Sequence, residues 1–389
     1  MTYYIRTIPN IANDLKPLDE KINSEFIPVI TEGHLCTSTE RSLLSLPVRM
    51  GGMAMPIFSE ISDAEFQNSA LATQQLTEKI QQQIHDYSID KDLEKEIELR
   101  IKKERLEKHE KVLEEVRKNL SKDEVRANDL AQLKGASAWL NSLPLKDEGY
   151  ELNKREFFDA VQLRYRWGLK RLPLNCACKK SKFDADHALQ CTTGGFIHKR
   201  HDRVRDAFAK LLKDVAYDVR VEPPLQPLTG ESLHRSANKQ DEARLDIAAR
   251  GFWQDDAMAF FDVRVFNPFA KTYINTKLDA AFTQNEREKK TSYNQRVIDI
   301  EHGSFTPIVL SAYGGFGRET ERFVSNLIHK IAEKKDMPVS VTANYIRTKI
   351  SFILIKSQVL CMRGSRKVWH QHVDTLEAEV VESTGGIRD

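Results

Sequence analysis

The chain has 389 residues, of which 40% are hydrophobic and 30% charged. That is two or three domains' worth of chain, with enough apolar material for a real core. Lys plus Arg number 59 against 57 Asp plus Glu, a formal charge of +2, so any nucleic-acid face has to come from local clustering and not from overall basicity. No apolar run approaches the roughly 18 residues of a membrane span. The opening, MTYYIRTIPNIANDLK, has no signal core. The five cysteines, Cys36, Cys176, Cys178, Cys191 and Cys361, are too few and scattered for a disulfide framework, so free or metal-bound thiols in a reducing compartment are expected.

Residues 1–75 read as a helical region punctuated by Pro and Gly in TIPNI and SLPVRMGGM. Met50, Gly51, Gly52, Met53 and Met55 suggest an apolar turn used for packing, with no chemistry of its own. Residues 76–145 are dominated by charge. The run DKDLEKEIELRIKKERLEKHEKVLEEVRKNLSKDEVR contains no Gly or Pro, and its apolar residues recur at helical spacing: Leu93, Ile97, Ile101, then Leu113, Val116, Leu120. A long amphipathic helix or helical hairpin is expected. Its charge is either a solvated face or a surface for self-association over residues 90–130. ASAWLNSLPL closes this region, and residues 151–170 read as a helix with Phe157, Val161 and Tyr165 on one side and a basic end from Arg164, Arg166, Lys170 and Arg171.

After about residue 196 the pattern changes. HKRHDRVRDAFAKLLK reads as a helix and DVRVEPPL as a strand stopped by Pro223 and Pro224. RLDIAARGFW and MAFFDVRVFNP read as a hairpin. A charged helix over 276–300, the buried strand TPIVLSAY, a GGFG turn and the helix RETERFVSNLIHKIAEKK follow. The stretch NYIRTKISFILIKSQVLCMRGSRKVW mixes helical and strand periods, and residues 370–389 read as a disordered tail. This order predicts a compact α/β domain over 197–369, and α + α/β as the class of the whole chain.

Two groups of residues carry chemistry. Cys176, Cys178, His187 and Cys191 lie within sixteen residues in the pattern C-x-C-x8-H-x3-C. Four soft ligands suit a closed, structural tetrahedral zinc site; the alternative is unpaired core cysteines with His187 on a helix. Such a module, over 146–196 with its preceding helix, would depend on metal for its fold. The second group is Asp246 in ARLDIA and Asp262 in FFDVRV, carboxylates within apolar strand patterns. Two on adjacent strands can converge on one Mg²⁺ (or Mn²⁺) and leave waters free to attack a phosphodiester; the alternative is a pair of edge-strand carboxylates facing water. The spacing D-x15-D-x-R resembles the PD-(D/E)XK nucleases, with Leu245 in place of Pro and Arg264 in place of Lys. Arg can stabilise developing charge but not act as a base. Lys289 and Tyr293, one turn apart on the next helix, can supply the missing ammonium, with Lys290 and Lys277 as rivals.

Two basic clusters offer phosphate contacts. Residues 198–213 carry Lys199, Arg200, Arg203, Arg205, Lys210 and Lys213 against Asp202 and Asp206, and Tyr345–Val368 carries Arg347, Lys349, Lys356, Arg363, Arg366 and Lys367 with no acidic residue. Gly314, Gly315 and Gly317 join a strand to a helix, where backbone N–H groups can cradle a phosphate or simply make a tight turn.

In order, WLNSLPL, the C-C-H-C knuckle, RHD, RLDI, FFDVRV and EKKxxY resemble the C-terminal half of non-LTR retrotransposon reverse-transcriptase polyproteins that carry a restriction-like endonuclease. VRVEPPLQPLTGE, HGSFTPIVLSAYGGFG and RGSR extend the resemblance over Tyr150–Trp369, and YYIRTIPNI and LLSLPVRMGGM resemble the region just after the polymerase palm. The resemblance implies zinc on Cys176, Cys178, His187 and Cys191, Mg²⁺ on Asp246 and Asp262, and Lys289 with Tyr293 as the helix-borne catalytic pair. It places Arg200, His201 and Asp202 near the scissile phosphate; together with the basic clusters, this makes Lys199, Arg200, His201, Arg203, Arg363 and Arg366 the expected nucleic-acid contacts. DNA, with RNA as a second ligand, and a nuclear location go with it. No YxDD aspartate pair is present, so no polymerase activity is expected from this chain. A catalytically inactive nucleic-acid-binding remnant is the competing expectation.

Overall fold

The computed structural model describes residues 1–85, 88–226 and 243–366. The expected tail at 370–389 and Lys367 lie outside the described residues.

The N-terminal half is helical: α1 (Thr2–Thr7), α2 (Ala12–Lys21), α3 (Ile27–Ile30), α4 (Ser38–Ser45), α5 (Phe58–Gln81), α6 (Lys91–Asn119), α7 (Lys122–Gln132) and α8 (Lys154–Arg164). Three starts are capping boxes, Thr37 with Glu40, Ser121 with Glu124 and Asn153 with Glu156, each satisfying two backbone N–H groups that the first turn leaves open. The charged run forms the single 29-residue helix α6, with Asp90 as its cap. It is laced by pairs such as Lys102–Glu98 at 3.1 Å and tied to α5 by Arg105, which grips Glu65 at 2.7 and 2.9 Å. α5 runs through the boundary expected near residue 75.

The RMGG turn is a packing feature, as its composition suggests. Gly51 has φ +90°, and a Cβ at Gly52 would lie 1.9 Å from the Leu46 carbonyl oxygen, so neither position admits a side chain. Buried Arg164, expected at an exposed basic helix end, instead donates to the Val48 and Gly52 carbonyls, and the Tyr165 hydroxyl donates to that of Gly51.

The C-terminal half contains α9 (Ala185–Ala188), α10 (Phe196–Lys213), β1 (Tyr217–Val221), β2 (Ile247–Arg250), β3 (Met258–Phe266), α11 (Leu278–Asp299), β4 (Ser304–Ser311), α12 (Arg318–Lys334) and α13 (Val339–Arg363). The strands form one sheet in the order β1-β2-β3-β4. β1, β2 and β3 are antiparallel neighbours, and β4 joins β3 in parallel after the α11 crossover. On one face, Ile247, Phe261, Val263 and Ile308 pack against Phe208 of α10, Phe323 of α12 and Ile346 of α13. On the other face, Phe260 and Phe305 meet Val297 and Tyr293 of α11. Covered on both sides, β3 and β4 read as continuous apolar runs. A buried carboxylate in β3 is therefore conspicuous.

The segment with mixed periods is a single helix, α13. It is apolar nearly all round because both halves bury it: Ile346, Ile350 and Leu354 enter the sheet core, while Phe352 and Ile355 enter the helical core with Trp139, Val161 and Trp167. No helix among the described residues is long and apolar enough to cross a membrane.

Candidate metal centre and acidic site

The Cys/His cluster is built on very little secondary structure. An isolated bridge between Asn175 and Lys182 closes a loop, and the four-residue α9 is capped by the Asp184 carboxylate. These bring Cys176, Cys178, His187 and Cys191 together, with one ligand atom from each within 4.8 Å of all the others. Cys176 Sγ lies 3.7 Å from Cys191 Sγ, and Cys178 Sγ lies 3.4 Å from His187 Nε2. Zn–S bonds of about 2.3 Å in a tetrahedron require S···S edges of about 3.8 Å, so these separations suit zinc. Second partners are in place. Ser181 Oγ sits 2.7 Å from His187 Nδ1, which leaves Nε2 for a metal, and the Lys180 N–H points at Cys178 Sγ at 3.4 Å. After the C-x-C pair the chain turns back, the Lys179 N–H donating to the Cys176 carbonyl at 2.9 Å with Lys179 in the left-handed conformation at φ +60°.

Arginines fasten this loop to the rest. Arg166 forks onto Asp186 at 2.8 and 3.1 Å while lying 4.1 Å over the Phe269 ring. Arg200 donates to the carbonyls of Leu189 and Val265, both at 3.1 Å. Arg366 donates to those of Ala188 and Cys361 and stacks on Phe183 and Phe196. Arg363 forks onto Asp159 and also donates to the Lys170 and Arg171 carbonyls. Arg200, Arg363 and Arg366, three of the expected nucleic-acid contacts, thus have their guanidiniums engaged by partners within the chain. Lys199 is exposed and Arg203 half-buried on α10.

The carboxylates do meet. Asp246 lies one residue before β2, not within it. Its N–H donates to the Phe261 carbonyl at 3.1 Å, which sets it beside Asp262 of β3 on the face that α11 covers. Asp246 Oδ2 accepts from the Val263 N–H at 2.6 Å and from His201 Nε2 at 3.1 Å. Asp262 is only 5% exposed. Its Oδ2 lies 2.6 Å from Lys289 Nζ, yet makes no hydrogen bond of acceptable geometry. Of the three candidate lysines, Lys289 is the one that reaches Asp262; Lys290 pairs with Glu319 at 2.6 Å, and Lys277 precedes the first turn of α11. Tyr293 lies beneath Lys289, its ring centroid 5.7 Å from Nζ, and packs on Phe305. Arg264 faces α11 too, but is held by Glu288 at 2.8 Å and by the Tyr273 hydroxyl at 3.2 Å. Arg126 of α7 reaches across to donate to the Pro268, Tyr273 and Thr276 carbonyls, so the helical half grips the connection that leads into α11.

Burial, reinforced by Asp246, pushes the Asp262 carboxyl up to about 6. Burial pulls Lys289 down, but Asp262 outweighs it and holds the ammonium above the usual lysine value. Burial likewise lowers His201, and Asp246 with Asp202 more than reverses this, raising it to about 9. A histidine with a folded-state pKa above its unfolded value stabilises the fold fully below about 6.5, and loses that contribution as pH rises through the folded value. Without added Mg²⁺ or Mn²⁺, thermal stability is therefore expected to fall between about pH 7 and 9. His201→Asn should flatten that fall; an equally steep fall in the variant would assign it elsewhere.

Sequence reasoning passed over Ser181, whose partner His187 is six residues on, and Arg126 and Asp186, whose partners lie far along the chain. It also passed over a second trio of ligand types, His34, Cys36 and Glu40. Glu40 there is the capping-box partner of Thr37 and accepts from His34 at 3.0 Å, which accounts for it as a helix start.

No protein-family model matches the chain, and no curated protein matches it.

Proposed function

We propose that the chain acts as a Mg²⁺-dependent DNA endonuclease of the restriction-like kind, derived from a retroelement protein and stabilised by a zinc knuckle. The observation that carries this reading is the convergence of Asp246, Asp262 and Lys289 on the sheet face that α11 covers. The residues fit a divalent cation. Both carboxylates are hard oxygen donors, and the buried Asp262 Oδ2 is already held against one cation, the Lys289 ammonium at 2.6 Å. Bound there, Mg²⁺ would supply a Lewis acid and an activated water. The chain's own groups do the rest. His201 fixes Asp246 Oδ2, so the carboxylate is preorganised. Lys289 presents a protonated ammonium to the phosphate oxygen on which charge develops. Arg264, locked by Glu288, adds positive potential but takes no proton. Zinc on Cys176, Cys178, His187 and Cys191 belongs to the same reading, as a structural ion with no open position.

The test is nicking of supercoiled and branched DNA with Mg²⁺ or Mn²⁺, comparing wild type with Asp262→Asn. Metal-dependent nicking, lowered on the order of a hundred- to a thousand-fold in the variant, is expected. Equal background in both proteins, with salt-sensitive DNA binding retained, would leave a zinc-stabilised binding remnant without catalysis.

A further inference from the structure

The basic residues expected to contact nucleic acid are largely spent on internal carbonyls and carboxylates, so the phosphate-binding charge has to be sought elsewhere. A groove of about 990 Å³ runs along α11, lined among others by Arg264, Arg287, Glu288, Lys289, Tyr293 and Arg318. Lys289, one of its lining residues, connects it to Asp262 through the 2.6 Å ion pair. Within it, Glu288 is neutralised by Arg264, and just beyond it Glu319 by Lys290. Arg287 on α11 and Arg318 at the start of α12 are both exposed, and neither has a hydrogen-bonding or ionic partner among the described residues. Asp279, toward the start of α11, is the remaining acidic lining residue.

We infer that this groove is the track for duplex DNA leading to the Asp246–Asp262 pair, with Arg287 and Arg318 gripping consecutive backbone phosphates. The inference rests on the endonuclease reading for its choice of DNA, and on the groove itself for its chemistry. Ala280 to Tyr293 spans about 20 Å at 1.5 Å per helical residue. That matches roughly six base steps at 3.4 Å each, long enough for several phosphates of one strand. The walls are open and mixed in polarity, which suits an extended polyanion better than an enclosed small molecule. Two free guanidiniums can each take a phosphate bidentately.

The experiment measures binding of a 30-base-pair duplex to the full chain by fluorescence anisotropy. Divalent metal is omitted, with no chelator added, so that cleavage is suppressed while zinc stays bound, and salt is varied. Wild type is compared with the double variant Arg287→Gln/Arg318→Gln and with Lys111→Gln on α6 as a control. Thermal melting checks that all three fold alike. The double variant is expected to bind about tenfold more weakly near 0.1 M salt, and the slope of log affinity against log salt is expected to fall by about two, one per lost phosphate contact. The control should match wild type. An unchanged affinity and slope in the double variant would overturn the track, whether or not the protein cleaves DNA. A weakened double variant in a protein that never nicks DNA would keep the track and remove the endonuclease reading. Single-stranded RNA that outcompetes the duplex for wild type but not for the double variant would overturn the choice of DNA.

Discussion

Cys176→Ser, or stripping the purified protein with a strong zinc chelator, is expected to unfold residues 174–191 and to loosen the first turns of α10. The loop has one isolated bridge and a four-residue helix to hold it. The apolar residues it contributes, Phe183, Ala188 and Leu189, cannot order it alone. Zinc bound by comparable ligand sets contributes on the order of 10 kcal/mol of folding free energy. The effect should spread because the loop supplies carbonyls or carboxylates to Arg166, Arg200 and Arg366. Arg200 is next in sequence to His201, which holds Asp246. Hydrogen-exchange protection over residues 196–204, followed with metal content, reads the coupling directly. A protein purified without bound metal, and with the same protection before and after chelation, would show that the cluster is only a set of core thiols.

Asp159→Ala is expected to cost about 3–5 kcal/mol, read as a shift in the urea midpoint. Asp159 is fully buried, and both its oxygens are taken by Arg363, at 2.8 and 2.5 Å. Truncating it leaves the guanidinium at the end of α13, the helix shared by both cores, with only the Lys170 and Arg171 carbonyls and no counter-charge. The pair Asp159→Leu with Arg363→Met should recover much of the loss, since a well-packed apolar pair often replaces a buried ion pair without penalty. A loss below about 1 kcal/mol for the single variant would mean that the pair does not anchor α13.

Much of the secondary structure was legible. The charged run without Gly or Pro marks the long helix α6. The hairpin of RLDIAAR and MAFFDVRVF, the crossover helix and the buried strand all fall where their periodicities put them, because amphipathic or apolar patterning is a local property. The cluster of Cys176, Cys178, His187 and Cys191 was legible for the same reason: its four ligands lie close in sequence. α13 was not. A helix buried between two cores loses its stripe, so its periods contradict one another.

The basic residues show where local reading stops. By composition Arg200, Arg363 and Arg366 look like Arg287 and Arg318. The fold turns the first three inward onto Leu189, Asp159 and Ala188, and leaves the last two facing a groove. The choice among lysines is similar: Lys289 and Lys290 are neighbours in the chain, but a 100° step around α11 sends one to Asp262 and the other to Glu319. From its sequence alone this protein determined most of its element order, its soft-ligand cluster and the two aspartates of the hairpin, because each depends on spacing within a few turns of chain. Only the tertiary structure decided which charges are spent and which remain available, because a charged side chain takes its role from whatever the fold packs against it.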